Sequence, residues 1–558
     1  MSKKIWIAVA LMVLLTGAWV TGYHPAGKDP YAIVGESLTT FGNVYKHITR
    51  SYVREVNPEE IMVAGIKGML GQLDPYSSFF QKRQIDQLRI ETTGKYGGLG
   101  IMIGIKEDIP TVIAPFEGTP AAKVGLEAGD QIVKIEGKST RGESIEDVAQ
   151  KLRGKPGTQV TITIIREGQP RPLDYTITRE IIKLKAISLC DKITPEIGYV
   201  RLSRFSESTG EELTQALQKL KDKNIKSLIL DLRGNPGGLL TQAVAVADKF
   251  LEKGRLIVST KGRERGQNND YYSTHDPVIP VDLPLVILVN KASASASEIV
   301  AGAIQDWDRG VIVGTPTFGK GSVQTVFPIS EGSALKLTTA YYYTPSGRCI
   351  NIEHTSKEKY KKALGEELQP RKKQFRTHNG RVIYGGGGIT PDLKVEAWKL
   401  DNLLLELLRR RMFFSFAVHY VAEHPEVDQN FEVDDQMLAM FKDFLKQKHF
   451  DYKTPEEVYV DTLKAMFQKK GYDDRIEELL AELESQLETA KEADFQKNRD
   501  YIRMAIRREI ASRQWGLEAG IRATFPEDTQ LHRAIDILKD PVQYAKMIGK
   551  RTESKQKL

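Results

Sequence analysis

The chain has 558 residues, of which 41% are hydrophobic and 27% charged, with a formal charge of +7 from 80 Lys and Arg against 73 Asp and Glu. Single cores stop growing near roughly 250–300 residues, so three or four units are expected, and the composition excludes wholesale disorder and a multi-span membrane protein. Both charge signs are interleaved along the chain, which argues against nucleic acid as a partner, and two cysteines, Cys190 and Cys349, exclude a disulfide-stapled scaffold or a four-cysteine zinc site while leaving one bridge open.

In chain order, Lys3 and Lys4 precede an apolar run at residues 5–20, the order of charge and hydrophobicity in a targeting segment. Thr21 and Gly22 extend the run to a length that can anchor in a membrane through residues 5–22, and Trp19 suits the interface. Ala18, Trp19 and Val20 put a large residue where a signal cleavage site wants a small one, which favours an uncleaved anchor over a cleaved signal peptide. Residues 1–23 are therefore read as signal peptide or anchor. The rest is expected outside the cytoplasm, in the periplasm and associated with the inner membrane.

Residues 24–90 begin with a turn-rich tether and continue with apolar residues at helical spacing over 33–54 and 58–73, a helical lead-in that stops at Leu73-Asp74-Pro75. Residues 91–180 switch to short β-branched runs broken by glycine and proline, a strand-rich module. Residues 181–398 alternate strand-like and helical stretches, which predicts an α/β layer structure. Residues 399–558 are rich in Glu, Lys, Arg and Leu and should be mostly helical, with Thr454-Pro455-Glu456-Glu457 reading as a capping box with proline at the first helical position. The overall class is α/β multidomain.

Three segments can carry chemistry. The apolar run 285–289 leads through Asn290-Lys291-Ala292-Ser293-Ala294-Ser295-Ala296-Ser297-Glu298 into a helical stretch, which presents Ser295 at a helix N-terminus where N–H groups and the dipole favour negative charge. Taken alone, Ser295 and Glu298 also fit a plain capping box, and capping serines far outnumber nucleophiles. The second segment is Phe318-Gly319-Lys320-Gly321 beside the apolar Val311-Ile312-Val313. Burial there would disfavour the ammonium and make the amine a general base for a serine hydroxyl, with Gln324 able to hold it in line. An arbitrary lysine in a glycine loop is solvated. Residues 314–320 also imitate a phosphate-binding loop, but Gly321 stands where Mg²⁺ needs Ser or Thr. The third segment is Leu230-Asp231-Leu232-Arg233-Gly234-Asn235-Pro236-Gly237-Gly238, a strand that stops at glycines whose bare N–H groups, with that of Ala296, can bind an oxyanion, or that merely turns into a helix. No Gly-x-Ser-x-Gly or His-Glu-x-x-His motif occurs, and His275, His354 and His378 lie in segments that do not resemble a site.

These segments, together with Leu73-Asp74-Pro75 and Tyr343-Thr344-Pro345-Ser346-Gly347-Arg348, resemble in order and spacing the C-terminal processing (tail-specific) proteases over about residues 33–398. The resemblance implies Ser295 as nucleophile, Lys320 as general base, Gln324 as its orienting residue, and oxyanion donors at Ala296 and one of Gly237 and Gly238. It also implies a crotonase-like α/β protease core with a PDZ module inserted ahead of it. Gly97-Gly98-Leu99-Gly100-Ile101 looks like that module's carboxylate-binding loop, so Gly98, Leu99, Gly100 and Ile101 are the expected peptide contacts, and Gly118-Thr119-Pro120-Ala121-Ala122 resembles its middle section.

The function expected is that of a serine endopeptidase with a Ser-Lys pair, acting on exported polypeptides whose apolar C-terminal tails the PDZ module captures. The alternative is a catalytically inactive, membrane-anchored PDZ scaffold. Neither cofactor nor metal is called for, and a homo-oligomer is open.

Overall fold

The computed structural model describes residues 30–352, 373–469 and 474–550. Residues 1–23, expected from the sequence to be a signal peptide or anchor, lie outside them; among the described residues no helix is long and apolar enough to cross a membrane.

The lead-in forms the helices Pro30–Ser51 and Pro58–Leu70. The second begins where Asn57 accepts the Glu59 N–H at 3.0 Å and Pro58 takes the first helical position, which needs no N–H donor. Both leave large apolar side chains in solvent, Leu38, Phe41 and Met69 among them. At Asp74-Pro75 the chain turns, because the Asp74 carboxylate accepts the N–H groups of Tyr76 and Ser77 at 2.8 and 2.9 Å. Strand Ser78–Gln81 then pairs antiparallel with Ser333–Tyr343.

The strand-rich unit is entered and left through one two-stranded ribbon, Lys95–Gly98 against Glu180–Lys183. Between them, Ile101–Lys106, Ile109–Pro115, Gln131–Ile135, Gln159–Ile165 and Leu173–Thr178 lie in that spatial order. Side chains alternate across the sheet, so Val160, Ile162 and Ile164 of one strand all point into the core, where Val148 and Leu152 of the helix Ile145–Leu152 meet them.

The α/β core is a six-stranded sheet in the order Ile187–Lys192, Ile197–Leu202, Ser227–Asp231, Leu285–Val289, Val311–Gly314, Leu393–Lys394, parallel except for the first pair. Its central strands are unbroken apolar runs because both faces are covered. Leu228, Leu230, Leu285 and Ile287 face the helices Thr209–Asp222, Leu240–Asp248 and Ala296–Asp306. Ile229, Val286, Leu288 and Val313 face the opposite way, onto Leu531, Ala534, Ile537 and Tyr544 from the end of the chain. The helices Thr529–Lys539 and Pro541–Met547 thus form the third layer of the core, and the Tyr544 hydroxyl takes the Leu285 N–H at 2.9 Å. Burying each such aliphatic side chain is worth about 1.5–3 kcal/mol, so this layer is integral to the sheet.

Before reaching that layer, the chain builds a helical unit from Asn402–Arg409 to Arg499–Trp515 around Phe413, Phe416, Phe441 and Ile506. The capping box at Thr454 is present as expected, with Thr454 Oγ1 accepting the Glu457 N–H at 3.2 Å and the Glu457 carboxylate accepting the Thr454 N–H at 2.7 Å. This unit also touches the strand-rich one: Phe414 and Val418 pack on Ala128, Arg513 bonds the Ala128 carbonyl and pairs with Glu127 at 3.0 Å, and His419 meets Glu167 at 2.9 Å. No disulfide joins Cys190 to Cys349.

Candidate active site

The buried strand Leu285–Val289 ends at Asn290, and the turn that follows is sewn to the glycine loop after Ser227–Asp231. Asn290 Oδ1 accepts the Gly234 N–H at 3.0 Å, Ser293 Oγ donates to the Leu232 carbonyl at 2.8 Å, and Ser297 Oγ donates to the Asn235 carbonyl at 3.0 Å. Of the three serines in the turn, two are therefore spent on backbone carbonyls. The hydroxyl of Ser295 instead lies 3.2 Å from the hydroxyl of Tyr342. Ser295 stands immediately before the helix Ala296–Asp306 with φ 55° and ψ −112°, a left-handed backbone that is costly for a residue with a Cβ. Burial pushes the Tyr342 hydroxyl up to about 12, which keeps it protonated at neutral pH.

Gly237 runs directly beside this serine. Its φ is +99°, and a Cβ there would come within 2.8 Å of Ser295 Cβ and 3.0 Å of the Ala296 nitrogen. The Gly237 N–H is held by Asn235 Oδ1 at 2.9 Å, whereas no hydrogen bond among the described residues uses the N–H of Gly238 or of Ala296. The loop is braced from below. Arg233 grips Asp231 at 2.7 Å and, from the far end of the sequence, Asp528 at 2.7 Å, both with the same Nη2. The third layer of the core thus reaches the base of the glycine loop.

Lys320 follows Gly319, whose φ is +86°. One buried carboxylate ties its loop to the serine: Glu298 accepts Thr317 Oγ1 at 2.6 Å, the Gly319 N–H at 2.7 Å, the Ser295 N–H at 2.8 Å and the Lys320 N–H at 2.9 Å. The last two share one oxygen, so the backbones of Ser295 and Lys320 lie side by side. Glu298 is thus more than the carboxylate arm of a helix cap. Burial raises its pKa, and the four donors oppose that shift.

Burial lowers the pKa of the Lys320 amine, and the positive charge of Lys336 lowers it further, while Glu298 and Asp74 pull the other way. The amine rests over the Tyr76 ring, 4.9 Å from its centre, and no hydrogen bond joins it to Ser295 Oγ. Gln324 is not bonded to it either; its amide donates to Ser322 Oγ at 2.9 Å and Thr338 Oγ1 at 3.3 Å. Thr338 in turn donates to Asp74 at 3.2 Å, which ties the Asp74-Pro75 turn to the strand beside the lysine. Tyr76, Tyr342, Thr317 and Asp528 were not singled out by the sequence. Strand alternation, with Tyr341 exposed and Tyr342 buried, is the signal that narrows the choice among three consecutive tyrosines.

In the strand-rich unit, Gly98 ends the entry strand, and Gly100, at φ +78°, abuts Thr119 so closely that a Cβ would lie 2.3 Å from its side chain. Leu99 is buried, and its carbonyl accepts the Ala121 N–H at 3.0 Å. From Ile101 the strand Ile101–Lys106 pairs on one side only, with Ile109–Pro115, and lies at the edge of its sheet beside the helix Ile145–Leu152. Its outer edge is open to another strand.

Replacing Glu298 with Gln is expected to lower kcat about 10²-fold with little change in KM and to cost about 2–4 kcal/mol of stability, because buried N–H donors lose their acceptor. Steady-state kinetics alongside denaturant melts check both numbers. Equal loss in kcat and KM with unaltered stability would contradict a positioning role.

Comparison with known proteins assigns the class. The profile of peptidase family S41 matches residues 196–360, a PDZ profile residues 111–166, the N-terminal domain of the activating protease CtpB residues 21–84, and the C-terminal helical domain of probable PDZ-proteases residues 403–538. The carboxy-terminal-processing protease of Bartonella bacilliformis is 42% identical over 339 residues, covering 58% of this chain and 77% of that one. A probable CtpA-like serine protease of Staphylococcus aureus is 35% identical over 318 residues, 56% of this chain and 63% of that one. Among solved structures, a photosystem II D1 C-terminal processing protease is 27% identical, covering 64% of this chain and 92% of that one, with a TM-score of 0.36. The class is that of a serine-type peptidase carrying a PDZ domain. The chain belongs to the carboxy-terminal-processing proteases of peptidase family S41.

Proposed function

We propose that this chain cleaves polypeptides through an acyl-enzyme formed on Ser295, with the neutral amine of Lys320 as general base. Lys320 takes the hydroxyl proton, Ser295 Oγ attacks the scissile carbonyl, the protonated amine returns that proton to the leaving nitrogen, and water then releases the acyl group. The N–H of Ala296 and a glycine N–H of the Gly237-Gly238 pair bind the oxyanion; Gly238 is favoured because Asn235 already holds the Gly237 N–H. The observation that carries the reading is the single Glu298 oxygen that accepts from both Ser295 and Lys320, since it keeps base and nucleophile on neighbouring backbones. The amine must swing from Tyr76 to Ser295 for catalysis, and Gln324 is proposed to receive it in that working position.

Gly98, Leu99, Gly100 and Ile101 are proposed to hold the C-terminal carboxylate of a substrate whose tail adds as a strand to Ile101–Lys106, a reading supported by the PDZ match and the open edge. Residues 1–23 are proposed to direct the chain to the periplasm, at the inner membrane, where its substrates are exported proteins. The domain limits proposed are lead-in 24–90, PDZ 91–180, protease core 181–398 and helical region 399–558, with the last helices lent to the core. The testing experiment is cleavage of an unfolded protein ending in apolar residues, compared with the same protein amidated at its C-terminus. Rapid cleavage of the free-tailed form alone is expected; equal cleavage of both overturns tail capture.

Activity should rise with pH as the lysine loses its proton, along a limb set by the lowered pKa of Lys320. Lys336 helps to lower it, so Lys336→Met should raise that pKa and move the acid limb of kcat/KM to higher pH. A pH–rate profile checks the direction, and an unmoved or acid-shifted limb contradicts it.

A further inference from the structure

A cleft of about 320 Å³ separates the far end of the PDZ edge strand from the helical unit, lined by Lys106, Glu107, Arg409, Arg410, Ser415 and Lys448. Its charge is mainly positive. Arg409 and Arg410 are already paired with Glu406, at 2.6 and 3.1 Å, but neither Lys106 nor Lys448 forms an ion pair among the described residues. Lys106 is half-buried, and its pKa is lowered by burial and by Lys448, although Glu107 and Glu167 draw it back up. Close by, Arg411 leans on the strand: its guanidinium occupies the space beside Gly104, where a Cβ would lie 2.9 Å from Nη2.

A second observation points to a ligand. Ser415 is 1% exposed, and its hydroxyl has no hydrogen-bond partner among the described residues. A buried hydroxyl left unpaired costs about 1–3 kcal/mol, and Ser415 is one of the residues lining this cationic cavity.

The position of the cleft along the strand gives it meaning. A tail added to Ile101–Lys106 with its carboxylate at Gly98–Ile101 runs antiparallel to that strand, so its upstream residues travel toward Lys106. At about 3.3 Å per residue, the six-residue strand brings the fourth to sixth residues before the terminus to the cleft. Side chains alternate, and those on the face of Gly104 and Lys106 meet Arg411, Lys106 and Lys448.

We propose that this cleft is a second recognition site for the captured polypeptide, a subsite for Asp or Glu side chains about four to six residues upstream of the C-terminus. The inference rests on the tail-capture reading above. It makes substrate choice the joint work of the PDZ and helical units, because neither alone supplies all the cations.

The test is fluorescence anisotropy on the full chain carrying Ser295→Ala, which binds without cutting. Three labelled peptides share an apolar C-terminal tail and carry Glu, Gln or Lys at the fourth to sixth positions upstream; a fourth is the Glu peptide amidated at its C-terminus. The Glu peptide should bind about tenfold more tightly than the Gln peptide at low salt, the Lys peptide more weakly still, and the differences should shrink as salt rises. Adding Lys106→Met and Lys448→Met should bring the Glu peptide down to the Gln peptide, whose unchanged affinity reports an intact fold. Equal binding of Glu and Gln peptides, or a preference that survives the double substitution, overturns the acidic subsite while leaving tail capture standing. Failure of all peptides to bind, or indifference to amidation, overturns tail capture and the subsite with it.

Discussion

Replacing Ser295 with alanine is expected to lower kcat/KM on an unfolded polypeptide by about 10⁴-fold or more, and Lys320→Ala to do the same, while the double variant is no worse than either single one. In serine hydrolases, nucleophile and base act as one unit, so removing the second member costs nothing once the first is gone. Ser295 is the hydroxyl to test because Ser293 and Ser297 are bound to the carbonyls of Leu232 and Asn235. Lys320→Arg should fail as completely as alanine, since a guanidinium stays charged and cannot accept a proton. Additive losses in the double variant would mean that the two side chains act independently.

Gly237→Ala is expected to lower kcat about 10²–10³-fold, the scale on which loss of an oxyanion donor is felt. A methyl group at this position has nowhere to go. It would lie 2.7 Å from the Ala294 carbonyl and 2.8 Å from Ser295 Cβ, on a backbone at φ +99° that disfavours any side chain. The loop must then move away from the serine and take the Gly238 N–H with it. Because Arg233, Asp231 and Asp528 brace the loop from below, the damage should be local: kcat falls while the melting midpoint changes little. Parallel assays of activity and thermal unfolding check this, and global unfolding of the variant would contradict it.

Much of this architecture was legible because it is local. The unbroken run of Leu285–Val289 signals a strand buried on both faces, and the small residues after it signal a tight turn into a helix. The capping box at Thr454 is equally local, and it forms as its four residues predict. What stayed hidden depends on partners distant in sequence. The helix Thr529–Lys539 reads as one more amphipathic helix, and nothing in its pattern says that its apolar face belongs to the protease sheet and not to the neighbouring helical unit. The perch of Lys320 on Tyr76 arises from a turn some 240 residues upstream meeting the strand Ser333–Tyr343, whereas Gln324 meets Thr338 as its register partner across the hairpin of Ser322–Ser330 and Ser333–Tyr343. The family resemblance of the Gly319-Lys320-Gly321 segment singles out the lysine as the expected base; it does not say where the amine rests.

Glu298 shows how one residue can satisfy two readings. Its spacing from Ser295 is that of a helix cap, and it does accept the Ser295 N–H. The same carboxylate also holds Thr317, Gly319 and Lys320. Those contacts become visible only once the strand Val311–Gly314 lies parallel to Leu285–Val289 and delivers the lysine loop to the head of the helix.

The most direct test of the account is a titration of the Lys320 amine itself, by NMR of the full chain labelled at lysine Cε, with Lys320→Arg to assign the signal. A pKa below the ordinary lysine value of 10.5 is expected, coincident with the acid limb of kcat/KM and raised by Lys336→Met. A signal that titrates at the ordinary value, or one unrelated to the rate profile, would contradict it.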